Sequence, residues 1–322
     1  MEILLNPGPV SFFLLFVLAS IVMIWRLGAL EKRGFEGTVI GTLIMPYCSG
    51  ISNLIFAYIM GRTGESGSIV LENCLVNNVT NLTLLLGAPA IFWSLKVIYK
   101  KEKVTIPMQE QKLNYLSLLF TIIAMLFFTG AVWALARDRT LDFGDGLVLV
   151  GIFLFWQVLH LFEVLKGNVR KKRRIGLATI FDLSLIIACA WGVYYSVEFL
   201  VEWVSRTDSG LFTFSKIGWL SGLIMVFPNA ILAFYYAKLR RAEVVYTSQV
   251  GDGHICIPMC IGLFALFSPI EIPASFELGI SIIAGAGVLH FLIIAFLGRL
   301  PRIAGIALTF MYFYFLYKGL LV

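Results

Sequence analysis

"VLENCLVNNVTNLTLLLG", residues 70–87, places Glu72, Asn73, Asn77, Asn78 and Asn81 in a segment that closes on a run of leucines. Amides and carboxylates are costly to bury unless they meet partners. Inside a membrane span they mark a functional site by default. Asn73, Asn77 and Asn81 recur at i, i+4 and i+8, which puts them on one face of a helix. A single asparagine there would read as interhelical hydrogen-bond glue. Four in nine residues predict a polar cavity in front of that face.

The rest of the chain says what surrounds this helix. Its 322 residues are 59% hydrophobic and 14% charged, and the mean hydropathy is +0.90. A soluble domain of this length needs far more polar surface. Apolar runs long enough to cross about 30 Å of hydrocarbon recur at roughly 9–30, 37–61, 68–97, 114–136, 145–166, 176–204, 215–239, 243–268, 271–297 and 300–320. They predict an all-α polytopic membrane protein with ten transmembrane helices. Of the 25 Lys and Arg, 19 fall in alternate loops, among them "RKKRR" at 170–174. The rule that basic loops stay inside puts that run in the cytosol and both termini on the extracytoplasmic side of the cell membrane. The net charge of +6 is thus a topology marker and not a nucleic-acid surface, although such a run also suits anionic membrane lipid. No basic stretch precedes the first apolar run, so no cleavable signal peptide is expected. The five cysteines form no Cys-x-x-Cys pair, which points to neither a disulfide framework nor a zinc module.

Five spans lie before the basic run and five after it. An odd number per half predicts two oppositely oriented repeats: residues 1–167, a cytosolic linker at 168–175, and residues 176–322. The halves match at one place. "TLIMPYCSGISN" (42–53) leads into the asparagine helix, and "MVFPNAILAFYY" (225–236) leads into "VVYTSQVGDGHICIPMCIGL" (244–263). Setting Pro46 against Pro228 puts Tyr47 opposite Asn229. Setting Asn73 against Ser248 puts Asn77 opposite Asp252, Asn78 opposite Gly253 and Asn81 opposite Cys256. A proline inside a helix frees backbone carbonyls, which are tolerated at membrane depth only beside a cavity or other polar groups. Two kinked helices facing two polar helices predict one site at the bilayer midplane, within about 38–90 and 217–266.

This pattern resembles the α-repeats of the cation/calcium exchanger superfamily, the sodium/calcium exchangers. Their first repeat helix carries Gly-Thr-Ser-x-Pro-Glu and the next carries Gly-Asn-x-x-Gly-Ser-Asn-x-x-Asn. "ENCLVNNVTN" (72–81) matches the second motif at Asn73, Asn78 and Asn81, and "TSQVGDGHIC" (247–256) keeps Gly251. The resemblance implies an inverted-repeat secondary antiporter that needs no cofactor and is not an enzyme. The chain departs from it where the family's glutamates would fall, at Tyr47 and Asn229, and where Leu43-Ile44 and Met225-Val226 replace the Thr-Ser pairs.

The expected binding residues are therefore Asn77, Asn81, Asp252, Asn229 and Tyr47, with Asn73, Ser248, Asn78 and Glu72 around them; Asp252, Asn77 and Asn81 are the candidate metal ligands. Calcium takes six to eight oxygens, several of them anionic, so one carboxylate predicts altered selectivity. No Lys or Arg occurs in 38–61, 69–95, 217–237 or 244–268, which favours a cation or a neutral solute over an anion. Na⁺, H⁺ and a divalent ion completed by Glu72 all stay open as substrate and coupling ion, as does a softer metal near Cys48, Cys74 and Cys256. Self-association is compatible with all of these. The competing reading is a membrane scaffold or sensor on the same fold. An intramembrane enzyme would rest on His254 and Cys256 alone, whose spacing is poor. His160 and Glu163 read as a structural pair, and His290 as a lone packing residue.

Overall fold

The computed structural model describes residues 8–32, 45–97, 108–168, 177–207 and 216–321. The "RKKRR" run and the side chains of Tyr47, His160 and Glu163 lie outside the described residues. The predicted helical character holds for most of the described residues. Among the described residues, six stretches are long and apolar enough to cross a membrane. They differ in how far they are enclosed. The apolar window of Gly67–Trp93 is 78% buried, against 22% for Pro9–Arg26 and 28% for Ile180–Val204. The asparagine segment is thus an inner helix, and the other two face the surrounding apolar medium.

The outer pair is α1 (Pro9–Lys32) and α7 (Leu177–Thr207), which lie along each other. Phe12 stacks on Phe199 with ring centroids 3.8 Å apart, and farther along Arg26 Nη1 lies 3.4 Å from Asp182 Oδ1. The inner layer holds α2 (Met45–Thr63), α3 (Gly67–Leu82), α4 (Leu84–Trp93), α8 (Ile217–Met225), α9 (Phe227–Lys238) and α10 (Ala242–His254). After α10 come a π-helical turn, Ile255–Cys260, and α11 (Ile261–Ala265). The helices α5 (Met108–Leu135), α6 (Phe143–Asn168), α12 (Phe276–Leu297) and α13 (Arg302–Leu316) close the remaining sides.

Three predicted spans are present but differ in their ends or breaks, the second of them at the kink that Pro228 predicts. The span 68–97 is not continuous: it breaks at Thr83 (φ −105°, ψ −69°) and its helix ends at Trp93, where Ser94 turns into the left-handed region. Pro89 sits inside α4 without ending it. The span 215–239 breaks at Val226, because Pro228 at the start of α9 has no N–H to continue the α8 ladder. The span 271–297 starts only at Phe276, since Ile270–Glu271 is a strand, β2. β2 pairs antiparallel with β1 (Thr140–Leu141), setting Thr140 opposite Glu271. A second, isolated bridge joins Lys96 to Arg299. The 22 residues of α12 separate these two pairings, so they lie at opposite ends of the bundle, roughly 33 Å apart along a helix at 1.5 Å per residue.

Close helix crossings are made by glycine. Gly87 and Gly305 bring α4 and α13 together, and a Cβ on Gly87 would stand 2.8 Å from the Gly305 carbonyl. Gly146 and Gly262 do the same for α6 and α11, with 2.9 Å from a Gly146 Cβ to the Gly262 carbonyl. Position 262 follows 87 by the interval at which 252 follows 77, and 271 follows 96 by that interval too. Gly218 and Gly222 form a small-xxx-small face that lets α8 approach α3. A Cβ on Gly222 would lie 2.8 Å from Val76 Cβ and 2.9 Å from the Asn73 carbonyl. Gly222→Ala is expected to destabilise the protein by about 1–3 kcal/mol through overpacking. Gly285→Ala, where nothing lies within 4 Å, should leave the melting temperature in detergent unchanged or slightly raised.

Candidate functional site

Asp252 is fully buried on α10. Asn81 Nδ2 donates to its Oδ2 at 2.6 Å, and Asn229 Nδ2 donates to the same oxygen at 3.2 Å. Asn229 Nδ2 also reaches Asn81 Oδ1 at 3.3 Å. Asn81 Nδ2 lies 2.8 Å from Asn77 Oδ1, and Asn77 Nδ2 donates to Asn53 Oδ1 at 3.4 Å. Cys256 Sγ stands 3.9 Å from both Asp252 Oδ2 and Asn77 Oδ1. Five fully buried polar side chains from α2, α3, α9 and α10 thus form one network, and it contains a single carboxylate among the described residues.

Local structure explains the convergence. On α3, Asn77 and Asn81 sit one turn apart on the inner face. Asn229 enters beside Pro228 at the start of α9, where the break at Val226 redirects the chain. On the other side, Pro258 has no N–H and crowds the carbonyl four residues before it. The π-helical turn from Ile255 to Cys260 absorbs that clash, as π-bulges do near functional sites. From α2 the backbone itself comes close: a Cβ on Gly50 would lie 3.1 Å from Asp252 Oδ1.

Not every predicted residue joins. Asn73 Nδ2 turns instead to Ser221 Oγ at 2.9 Å and Met225 Sδ at 3.6 Å, on α8. Asn78 Nδ2 donates back to the Cys74 carbonyl at 2.7 Å. Ser248 Oγ accepts from Gln249 Nε2 at 3.3 Å. Glu72, entertained as a second acid for a divalent ion, accepts from Ser275 Oγ at 3.3 Å and meets Trp219. It bonds away from the Asp252 network. Among the described residues no group of three or more His, Cys, Asp and Glu side chains is placed to hold a metal. His254 turns to the far side of α10, with Nε2 2.9 Å from the Thr121 carbonyl and its ring edge-on to Phe128 and Trp156.

Two participants escape sequence inspection. Asn53 has no polar counterpart: the repeat register sets it opposite Tyr235, which is exposed. Its one signal is being an amide seven residues after the proline of an apolar span. His290, read as a lone packing residue, is a bridge. Its Nε2 donates to the Leu82 carbonyl at 2.7 Å, and its Nδ1 accepts from Tyr246 Oη at 3.1 Å. It thereby fixes the break next to Asn81. Leucine at 290 leaves both partners buried and unsatisfied, at about 1–3 kcal/mol each, whereas glutamine keeps the donor to Leu82. His290→Leu is expected to lower the melting temperature clearly more than His290→Gln in a detergent thermal-unfolding assay.

No Lys or Arg lies in 45–61, 69–95, 217–237 or 244–268, the segments that carry the network. The amide N–H groups of Asn81 and Asn229 donate to Asp252, and a hydrogen bond to a charged group contributes about 1.5–3 kcal/mol. Each of these amides also carries an oxygen that can face a cation after rotation about its side-chain torsions.

Over 95% of its length the chain superposes on 96% of the sodium-calcium exchanger NCX_Mj soaked with Na⁺ and Sr²⁺, with a TM-score of 0.70 at 18% identity. A second structure of that exchanger, soaked without Na⁺ and Ca²⁺, matches at a TM-score of 0.68 and 18% identity over 95% of this chain and 97% of that one. The chain therefore has the fold of that exchanger. In sequence, the family of the sodium/calcium exchanger protein matches residues 9–162. The sodium/calcium exchanger MaX1 of Methanosarcina acetivorans is 26% identical over 129 residues, which are 40% of this chain and 32% of that protein. The match thus spans about a third of that relative's length.

Proposed function

We propose that the protein is a secondary antiporter of the sodium/calcium exchanger type that carries an inorganic cation through the Asp252 network. The observation that carries this reading is a fully buried carboxylate that accepts from two of four linked, buried amides, with no basic residue on the segments that carry them. The family match, the fold and the membrane-crossing helices support it.

In this reading the chain is two inverted five-helix repeats, 1–167 and 176–322, joined by a basic linker. Three correspondences at one interval support the symmetry: Asn77 with Asp252, Gly87 with Gly262, and the Lys96–Arg299 bridge with the Glu271–Thr140 pairing at the other end of the bundle. Asp252, Asn77, Asn81 and Asn229 are the ligands, joined by Asn53. Tyr47 stands at the first-repeat position that corresponds to Asn229 and belongs to the proposed set by that register alone. Asn73 with Ser221 lies on the α3–α8 seam, Glu72 reaches from α3 to Ser275 at the start of α12, and both would line an access route beside the network.

Selectivity follows from charge. One carboxylate neutralises one positive charge, so a monovalent ion, Na⁺ or H⁺, fits better than Ca²⁺. Binding replaces the amide N–H groups at Asp252 with the cation, and Asn77, Asn81 and Asn229 rotate to offer oxygen. The empty site is then held shut by its own amide–carboxylate bonds, and the loaded site by the ion. Alternating access follows if the inner helices move against their surroundings around this fixed centre. Purified protein in proteoliposomes should exchange internal for external cation down an imposed gradient. Flux no faster than in protein-free vesicles, across Na⁺, K⁺, H⁺ and Ca²⁺ gradients, would favour the scaffold reading instead.

A further inference from the structure

We infer that the groove between α1 and α9 is a binding site for one acyl chain of an anionic phospholipid taken from the surrounding bilayer. The cavity measures about 670 Å³, within the range of about 300–1,000 Å³ of sites that hold a small molecule. Ile21, Ile24 and Ala29 line it from α1, and Ile231, Leu232 and Leu239 line it from α9 and its end. Trp25, Tyr235 and Tyr236 also line it, and Arg241 is its one charged residue.

The surroundings identify the occupant. Trp25 is 65% exposed and Tyr235 57%, so this flank opens to the medium outside a membrane protein, and that medium is lipid. Trp and Tyr with one apolar body and one polar tip sit at headgroup level. Lys238 ends α9, and Arg240 and Arg241 follow just past it, whereas Arg26 at the same end of α1 is paired with Asp182. Arg241 already contacts Glu243, with Nε 3.4 Å from Oε1, and its guanidinium lies over the Tyr236 ring at 5.5 Å. A cationic rim above an apolar slot is complementary to a phosphate on a hydrocarbon tail, where each nearby basic residue contributes about fivefold in affinity.

Gly28 is the second, independent pointer. Glycine within a helix is destabilising by about 1 kcal/mol against alanine, and at Gly28 no close crossing accounts for it. A Cβ there would meet only Tyr236 Oη, at 3.8 Å. Its missing side chain keeps the slot open instead of letting two helices touch. The site bears on α9, which carries Asn229 near its start, so the bound chain lies against a helix of the polar network.

Native mass spectrometry of the detergent-solubilised protein, titrated with phosphatidylglycerol or phosphatidylcholine, tests this without any transport assay. The wild type is expected to retain one phosphatidylglycerol at least fivefold more than phosphatidylcholine. Gly28→Leu, which fills the slot, should lose retention of both lipids. Arg241→Gln should keep the tail site and lower that preference by about fivefold. Melting temperatures near the wild type's show that both variants fold. Equal retention of the two lipids by all three proteins would overturn the site, as would a dimer that forms in place of lipid retention and is broken by Gly28→Leu.

Discussion

Asp252→Asn should abolish cation-coupled flux in proteoliposomes while leaving a folded protein. The substitution is close to isosteric, so packing around the α10 position is kept, and it removes the one charge in the network. Losing one partner of a buried charge contact typically costs about 2–5 kcal/mol, or about 30- to several-thousand-fold in affinity. Without bound cation the outcome runs the other way. A neutral amide has no Born penalty to offset, so the ion-free variant is expected to melt at or above the wild-type temperature. A variant that transports normally, or that fails to fold, would remove Asp252 from the role proposed for it.

Asn229→Asp should create a divalent site. Asn229 Nδ2 lies 3.2 Å from Asp252 Oδ2, so the new carboxylate would face the old one at that range and raise the site to two negative charges. Two carboxylates so placed repel each other when no cation is bound, and the ion-free variant should lose stability. A divalent ion relieves that repulsion and gains oxygen ligands of the kind Ca²⁺ prefers. The expected result is a calcium-dependent rise in melting temperature that the wild type lacks, equivalent to about 2.7 kcal/mol at one hundred times the dissociation constant. If Ca²⁺ stabilises wild type and variant alike, the argument from charge number fails and the substrate is divalent already.

How much of this was legible in the sequence depends on the kind of signal. Apolar runs are properties of whole segments, and they mark the six stretches that are long and apolar enough to cross a membrane among the described residues. Asn77 and Asp252 stand out in the sequence because each is polar where the two aligned segments match, and the structure brings both into one network. Asn53 was not, because its register partner Tyr235 is exposed and carries no matching signal. Glu72 misled for a geometric reason. It lies five residues before Asn77, and at about 100° per residue that is about 140° around the helix from it, so it faces Ser275 and Trp219 instead. The break at Thr83 carries no proline, whereas Pro89 sits inside an unbroken helix. The backbone there is held by the carbonyl bond from His290, which lies more than two hundred residues downstream. Contacts between segments remote in sequence, such as Asn73 with Ser221, follow from the Gly218 and Gly222 face that seats α8 on α3, and no one-dimensional pattern reports the pairing.

The claim beneath the whole account is that the fully buried Asp252, held by the Asn81 and Asn229 amides, makes this protein bind a cation. Thermal unfolding of the purified wild type and Asp252→Asn against Na⁺, K⁺, Ca²⁺, Mg²⁺, Mn²⁺ and Zn²⁺ measures it directly. At least one of these ions, Na⁺ first among them, is expected to raise the wild-type melting temperature by several degrees and leave the variant unmoved. A wild type that none of them stabilises, or a variant that shifts as far as the wild type, would contradict it.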